Sequence, residues 1–287
     1  MVRWRAGEDY NRAMPTRQVT RKLLFQGEVL RFVRLDWIDE SSAIVGSSAD
    51  WPAVDVYLAR SDELTAPALL AACESLLSDD ELERCNTFRR PEVRNTFLLS
   101  HALTRCMLSR HAQVAPAAWR FTTNRFGRPE IAAPVVDLHF NLTHTPGLIA
   151  VAVAQRRDVG IDAEWLSRRA PLEVMPKVFA TDEIEAVERL DGALQVERFF
   201  ALWTLKEAYA KARGRGFWLS FPEIVFDLDA AGPIRLIRSD EPSEEACKWQ
   251  FALYRAGREH LLATAYAGQP GSAPLAMRVT EVVPRLA

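Results

Sequence analysis

The chain has 287 residues, of which 48% are hydrophobic and 26% are charged, and its formal net charge is −2 at pH 7. This near-neutral balance argues against nucleic acid as a main partner, because domains that bind it usually carry a strong basic excess. No apolar run is long enough to cross a bilayer, no signal-peptide pattern opens the chain, and the four cysteines lack metal-ligand spacing. We therefore expect a cytoplasmic protein with reduced thiols and no membrane partner.

Residues 1–50 differ in composition from the rest of the chain. Arginine and lysine residues crowd the opening, and a small, polar stretch follows between Ser41 and Ser48. Between Val29 and Leu35, apolar residues interspersed with arginines predict an edge strand. We interpret residues 1–50 as an N-terminal extension of unknown role, for which a solvated tail is favoured over a functional basic arm.

A strand and two helices are predicted next. Residues 54–59 have the apolar composition of a core strand. Ser78 followed by Glu81 has the pattern of a capping box, which predicts that a helix begins there and runs to Pro91. Apolar residues at helical spacing over 97–108 predict a second helix, long enough to back a sheet.

Three strands are predicted in the middle of the chain. Residues 138–144 alternate apolar and polar side chains, and the Pro146-Gly147 pair then turns the chain. Residues 148–154 are apolar enough for a central strand. Residues 159–164 are predicted to pair with that strand as its next neighbour.

The second part of the chain repeats this theme, with helices at 181–190 and 195–213 and strands at 224–228, 249–254 and 261–266. Helices and antiparallel strands in both parts predict an α+β protein of two pseudo-symmetric halves, each an antiparallel sheet packed on a long helix. We accordingly divide the chain into the extension at 1–50, an N-terminal half at 51–157 and a C-terminal half at 158–287.

Asp162 and Glu164 lie two residues apart, so an extended backbone points both carboxylates to the same side. Two such acids at a strand end usually mark a solvated face. Here the apolar strand at 148–154 and the neighbouring Ile161 indicate a buried setting, and buried like charges a few ångströms apart need a cation. Carboxylates, water and phosphate oxygens are the ligands that Mg²⁺ prefers in proteins.

A further acid lies in the predicted helix at 195–213. Phe199, Trp203 and Glu207 recur at i, i+4 and i+8, so the carboxylate continues an aromatic stripe instead of the polar face. Lys211 is one turn further on, and Lys206 is adjacent. An exposed Glu207–Lys211 pair would explain these two residues alone, but not their position after Trp203. Three carboxylates and two lysines are the groups needed to hold a divalent cation and a polyphosphate together.

His144 has a hydroxyl-bearing neighbour on each side, Thr143 and Thr145, and precedes the Pro146-Gly147 turn. A histidine in such a position can donate to a phosphate as a cation, or act as an acid or base near neutral pH. The other histidines lack such neighbours, and we interpret them as structural: His101, His111, His139 and His260.

Together these segments resemble the ordered motifs of the 4′-phosphopantetheinyl transferases, at spacings similar to the longer, surfactin-type branch of that family. The resemblance runs from about Ser78 to Phe226. Residues 160–164 and 203–211 match the two most diagnostic motifs, and residues 140–145 and 127–129 resemble two others. Four positions depart from the usual pattern, with threonine for serine at Thr143 and Thr145, arginine for lysine at Arg128, and glutamate for lysine at Glu81.

The resemblance implies an enzyme that moves the phosphopantetheine arm of coenzyme A onto a serine of an apo acyl or peptidyl carrier protein and releases 3′,5′-ADP. It implies that Mg²⁺, or Mn²⁺, which accepts the same ligands, is bound by Asp162, Glu164 and Glu207. Coenzyme A would be contacted by Arg84, Arg128, Thr143, His144, Lys206 and Lys211. Catalytic roles fall to Glu207, Lys211 and His144, with Glu207, a water or a phosphate oxygen accepting the serine proton. The length of the chain favours a monomer.

Two other classes share parts of this pattern. Another Mg²⁺-dependent phosphotransferase or pyrophosphate-cleaving enzyme would need the three acids but no coenzyme A pocket. A non-catalytic carrier-binding protein would keep the fold but would be expected to lose a metal ligand or a lysine, and this chain retains all of them.

Overall fold

The computed structural model describes residues 35–45, 54–62, 64–215, 219–229, 233–268 and 276–286. The strands are β1 (Leu35–Val45), β2 (Val54–Arg60), β3 (Arg120–Thr123), β4 (Pro129–Ala133), β5 (Leu138–Thr145), β6 (Leu148–Gln155), β7 (Val159–Trp165), β8 (Val225–Asp227), β9 (Arg235–Arg238), β10 (Trp249–Ala256), β11 (His260–Ala267) and β12 (Met277–Leu286). The α-helices are α1 (Pro67–Glu74), α2 (Asp79–Cys85), α3 (Pro91–His111), α4 (Met175–Val178), α5 (Thr181–Glu188), α6 (Gly192–Ala212) and α7 (Ser243–Ala246). None of these helices is long and apolar enough to cross a bilayer.

Two sheets form the body of the fold. The first has the strand order β1-β12-β2-β6-β5, with antiparallel neighbours except for the parallel pair β12 and β2. The second has the order β10-β11-β7 and is antiparallel. Helix α3 packs on the first sheet and α6 on the second. The predicted α+β class, with a long helix against each sheet, is confirmed.

The apolar run in β6 is explained by burial on both of its faces. Ile149, Val151 and Val153 join the core beneath α3, whereas the alternate residues at 148, 150, 152 and 154 join a separate cluster between the two sheets. Ile161 of β7 packs in the same cluster, so the two sheets face each other across it. The layers therefore run helix, sheet, sheet, helix, and strands in the middle layers need no polar face.

The predicted partner of β7 was wrong. Residues 159–164 do form a strand, but it pairs with β11 in the second sheet, where Asp162 lies opposite Ala263. Both edges of β6 are already taken, by β5 on one side and β2 on the other. Strand β7 therefore crosses to the other sheet, which places the acids of β7 between the sheet that carries β5 and helix α6.

Two predicted boundaries also differ. Glu81 caps α2 as predicted, accepting a hydrogen bond from the backbone N–H of Ser78 at 2.8 Å, but the helix ends at Cys85 and Pro91 begins α3. Within the predicted extension, β1 begins at Leu35, while residues 29–34 of the predicted edge strand lie outside the described residues. Strand β12 comes from the end of the chain yet pairs inside the first sheet, so the division into two halves stays a prediction.

Candidate active site

The site begins with a close approach between β7 and α6. A Cβ atom added at Gly160 would lie 2.1 Å from the carbonyl oxygen of Ala208 and 2.4 Å from the backbone nitrogen of Ala212. Only glycine fits against a helix backbone at this distance. Because β7 and α6 touch here, Asp162, two residues after Gly160, comes within reach of Lys211 on the helix.

Asp162 and Lys211 form the centre of the cluster. The ammonium of Lys211 donates to Oδ1 of Asp162 at 2.7 Å, to the carbonyl oxygen of Ile161 at 3.2 Å and to the hydroxyl of Thr143 at 3.3 Å. The Thr143 hydroxyl donates in turn to Asp162 Oδ1 at 3.3 Å. The charge of Asp162 and the neighbouring acids raises the pKa of Lys211 despite its burial, which keeps the ammonium protonated.

Glu164 and Glu207 are the other two acids of the cluster. Burial and the charge of Asp162 raise the pKa of each to about 7, against the opposing charges of Arg168 at Glu164 and of Lys211 at Glu207. Glu164 accepts an ion pair from Arg168 at 2.7 Å. Within the described part of the chain, the Glu207 carboxylate has no hydrogen-bond partner. The cluster therefore holds three acids that repel one another and are incompletely neutralised by the protein.

The donor set suits a hard divalent cation. Among the described residues, no group donates a hydrogen bond to the buried Oδ2 of Asp162, which is a costly state for a carboxylate oxygen unless a ligand completes it. No group of three or more potential metal-ligating side chains among the described residues is already drawn together around a common point. An open arrangement of this kind fits Mg²⁺, which is usually held by one or two carboxylates together with substrate phosphates and water.

The end of β5 supplies the remaining wall of the cluster. Asn141 accepts a hydrogen bond at 2.9 Å from the backbone N–H of Ile161, which ties β5 to β7 across the two sheets. Thr143, two residues on, is thereby placed beside Asp162 and Lys211. His144 follows it and is exposed at the cleft. The surrounding atoms desolvate its ring and, with the positive charges of Lys211 and His101, lower its pKa, against the opposing charge of Asp162.

Lys206 lies apart from the acid cluster. Its ammonium is fully buried and donates to Glu183 at 2.5 Å and to the carbonyl oxygens of Val178 and Phe221 at 2.8 and 2.9 Å. One residue along a helix is a rotation of about 100°, so Lys206 faces away from Glu207 and into the core of the second sheet. The side chain of Lys206 is fully buried, whereas that of Lys211 is 29% exposed, so Lys206 presents no donor to a ligand.

Arg128 and Arg84 lie at the margins of the cluster. The Arg128 guanidinium donates to the carbonyl oxygens of Ala212 at 2.7 Å and Val159 at 3.2 Å, so it caps the end of α6. Arg84 is half-buried in the last turn of α2, one turn after Glu81. Glu81 accepts from His101 at 2.8 Å and from Arg105 at 2.5 Å. The structure thus brings Thr143, His144, Asp162, Glu164, Glu207 and Lys211 together, while nucleotide contacts by Arg84 and Arg128 stay predictions.

Comparison with known proteins shows the family to which the chain belongs. The family model described as "ACPS: 4′-phosphopantetheinyl transferase superfamily" matches residues 158–265, which include the acids of β7 and α6. The chain is 35% identical over 163 residues to the 4′-phosphopantetheinyl transferase HetI of Nostoc sp., a match that covers 56% of this chain and 68% of HetI. The chain belongs to the 4′-phosphopantetheinyl transferase superfamily.

Other members of the superfamily are similar at lower identity. The 4′-phosphopantetheinyl transferase Sfp of Bacillus subtilis is 28% identical over 169 residues, covering 59% of this chain and 74% of Sfp. A holo-(acyl-carrier-protein) synthase of Bacillus anthracis, solved in complex with CoA (3′,5′-ADP), is 25% identical with a TM-score of 0.34, covering 39% of this chain and 96% of the synthase. The predicted family and the predicted class of enzyme, a transferase of phosphate-containing groups, are confirmed.

Three residues that organise the site of this phosphopantetheinyl transferase were not predicted as part of it. Gly160 sets the distance between β7 and α6, Asn141 joins β5 to β7, and Arg168 pairs with Glu164 while its guanidinium lies 4.7 Å from the centre of the Phe200 ring. Gly160 and Asn141 stand inside the motifs that carried the resemblance, so their presence was visible but their contacts were not. Arg168 is four residues after Glu164, and no pattern in the sequence predicted it as part of the site.

Proposed function

We propose that this phosphopantetheinyl transferase moves the phosphopantetheine arm of coenzyme A to the serine hydroxyl of an apo acyl or peptidyl carrier protein and releases 3′,5′-ADP. We also propose that Asp162, Glu164 and Glu207 hold a Mg²⁺ or Mn²⁺ ion for this reaction. The observation that carries both proposals is the acid cluster, whose charge the protein leaves unbalanced and in which one buried carboxylate oxygen has no partner. A bound cation would neutralise the pyrophosphate and polarise its phosphorus–oxygen bonds.

The chain's own groups would position and neutralise the rest of the pyrophosphate. Lys211 is held beside Asp162 and its side chain is 29% exposed, so its ammonium can exchange one of its two longer hydrogen bonds for a phosphate oxygen. His144 is exposed in β5, next to Thr143, and would supply a second donor. Catalysis of phosphoryl transfer consists largely of such positioning and charge neutralisation.

The transfer requires one proton acceptor. The serine oxygen attacks the β-phosphorus of coenzyme A, the bond from that phosphorus to the bridging oxygen breaks, and 3′,5′-ADP leaves with the bonding electrons. The serine proton passes to Glu207 or to a phosphate oxygen. Glu207 is the better base while its pKa stays near 7, and the phosphate oxygen is the better acceptor once Glu207 is engaged with a cation.

The site draws on both predicted halves of one chain, since Thr143 and His144 come from β5 while Asp162 and Glu207 come from β7 and α6. One chain therefore supplies the residues of β5 as well as those of β7 and α6. This supports the further proposal that the enzyme acts as a monomer.

The test is the intact mass of an apo carrier protein after incubation with this protein, coenzyme A and Mg²⁺. We expect a gain of roughly 340 Da, the mass of one phosphopantetheinyl group, that is lost when the divalent cation is chelated. The Glu207→Gln variant should lose the activity. Glu197→Gln on the same helix should keep it, because Glu197 is exposed and paired with Arg255.

Two outcomes would contradict the proposals. Transfer that persists at the normal rate in a chelator would remove the metal role. Absence of transfer to both acyl and peptidyl carrier proteins, together with absence of coenzyme A binding by calorimetry, would remove the activity itself.

A further inference from the structure

His260 ties the second sheet to the turn that follows His144. It is the first residue of β11, lies opposite Trp165 of β7, and is 3% exposed. Its Nε2 lies 2.7 Å from the carbonyl oxygen of Pro146, and its Nδ1 lies 3.3 Å from Nη1 of Arg60. The side chain therefore spans from the sheet that carries the acids to the hairpin turn between β5 and β6.

The two partners determine which ring nitrogen carries the hydrogen. A carbonyl oxygen only accepts and a guanidinium only donates, so Nε2 must be the donor to Pro146 and Nδ1 the acceptor from Arg60. Arg60 is itself held by Glu281 of β12 at 3.0 Å. A continuous series of contacts thus runs from β12 through Arg60 and His260 to the turn.

The turn is held from both of its sides. Gly147 has a φ of +79°, and its carbonyl oxygen accepts a hydrogen bond from the backbone N–H of Ser61 at 3.2 Å. A Cβ atom added at Gly147 would lie 3.6 Å from Cε1 of His260, so the ring packs directly against the turn. Ser61 follows β2, so its contact joins the turn to the first sheet. His260 is in β11, so its contact fixes the position of the turn relative to the second sheet, which carries the acids of β7.

We propose that His260 is a positioning residue of the transfer site, which holds the end of β5, and with it Thr143 and His144, at its distance from Asp162 and Lys211. This inference rests on the proposed function. Thr143 lies three residues before Pro146 and already touches Asp162 and Lys211 at 3.3 Å, so a shift of the turn moves groups that face the substrate phosphates. Misplacement of such groups by about 1 Å is enough to weaken phosphate positioning.

The test compares the kinetics of three variants. His260→Phe keeps a ring but loses the donor, and we expect it to raise the KM for coenzyme A about tenfold with kcat changed less than about twofold. His260→Gln can place its side-chain N–H near the position of Nε2, and we expect it to keep the KM within about twofold of wild type. His260→Asn is too short to reach Pro146 and should behave as the Phe variant does, which covers the case in which His260→Phe does not fold.

His111→Phe is the matched control for the loss of a buried histidine. His111 ends α3 and hydrogen bonds to the Tyr57 hydroxyl at 3.0 Å, toward the start of β2 and away from Arg60. We expect it to lower stability without raising the KM for coenzyme A. A second measurement, amide hydrogen exchange of residues 143–148, should accelerate in His260→Phe and stay unchanged in His111→Phe.

The outcomes separate this inference from the proposed function. A wild-type protein that transfers nothing contradicts the proposed function and, with it, a positioning role in transfer. An active wild type with an unchanged KM in His260→Phe and His260→Asn overturns the inference alone. Equal losses in His260→Gln and His260→Phe would also overturn it, because the hydrogen bond to Pro146 would then not be the cause.

Discussion

Lys206 and Glu207 are consecutive residues of α6, yet they face different sides of the helix and different electrostatic surroundings. Lys206 is fully buried and its ammonium has three acceptors, one of them the carboxylate of Glu183. Glu207 faces two other acids and one ammonium and, among the described residues, has no hydrogen-bond partner. Burial lowers the pKa of Lys206 to about 8, against the opposing charge of Glu183, and raises that of Glu207 to about 7.

The difference separates a structural charge from a functional one. A buried charge whose partners all lie inside the protein fixes the packing of the segments that supply those partners. Burial and the charge of Asp162 shift the pKa of Glu207 strongly, and shifts of this kind are common at functional sites. Both residues belong to the same motif, so only their contacts distinguish them.

The largest effect on stability is expected for Lys206→Met. The substitution leaves Glu183 as an unpaired buried charge, and we expect the free energy of unfolding to fall by about 3–5 kcal/mol, measured by urea denaturation. The protein that remains folded should bind coenzyme A with normal affinity. Lys177→Met on the exposed face of α4 is the control and should change neither quantity. A stable Lys206→Met variant with weakened coenzyme A binding would show instead that Lys206 is a ligand contact.

The second-largest effect on stability is expected for Gly160→Ala, which acts on the side of α6 that carries Glu207. The added Cβ collides with backbone atoms of α6, so the helix must move away from β7, and we expect a loss of about 3 kcal/mol in the free energy of unfolding together with loss of transfer. Gly192→Ala is the control, since its Cβ would meet no atom within 4 Å. Its cost is confined to its positive φ and should be about 1 kcal/mol, with transfer retained. Equal losses of stability and transfer in both variants would show that the close approach of β7 and α6 is not the cause.

The fold class and the acid cluster were accessible from the sequence because each rests on local patterns. Alternation, capping and turn residues predicted β5 and the start of α2, and an apolar run predicted β6. The spacing of Asp162 and Glu164 placed both acids on one side of a strand, and the resemblance added Glu207 to them as a metal ligand. The pairing of β7 with β11 could not be predicted from the sequence. Strand β7 is buried on both faces, so its pattern of side chains does not distinguish one sheet from the other.

The role of Lys206 was not accessible for a similar reason. Its partners come from Val178, Glu183 and Phe221, which lie 28, 23 and 15 residues away in the sequence. A motif of neighbouring residues carries no information on such distant acceptors. The resemblance therefore assigned both lysines of α6 to the ligand, whereas the side chain of Lys206 is fully buried and that of Lys211 is partly exposed.

A smaller effect is expected from the unbalanced charge of Glu207 itself. In the absence of a divalent cation the folded-state pKa is about 7, above the ordinary value of 4.5, so folding favours the protonated acid and stability falls as the pH rises from about 5 to 8. Glu207→Gln removes this cost. We expect its Tm to exceed that of wild type by roughly 3 °C at pH 8 and to match it at pH 5, measured by scanning calorimetry with a chelator present. A lower Tm for the variant at pH 8 would mean that Glu207 stabilises the fold, as Lys206 does.

The smallest effect is expected for Arg128→Lys, because Arg128 combines features of Lys206 and of Glu207. Its Nη atoms donate to the carbonyl oxygens of Ala212 and Val159, as a structural charge would, whereas its buried Nε donates to no acceptor. Lysine keeps the charge at the end of α6 but cannot make both backbone contacts at once, so we expect a loss of about 1 kcal/mol in unfolding free energy. The KM for coenzyme A should rise by no more than about threefold, since most of the guanidinium is already engaged. A large rise in KM with unchanged stability would place Arg128 beside Glu207 among the functional charges, in contact with the nucleotide.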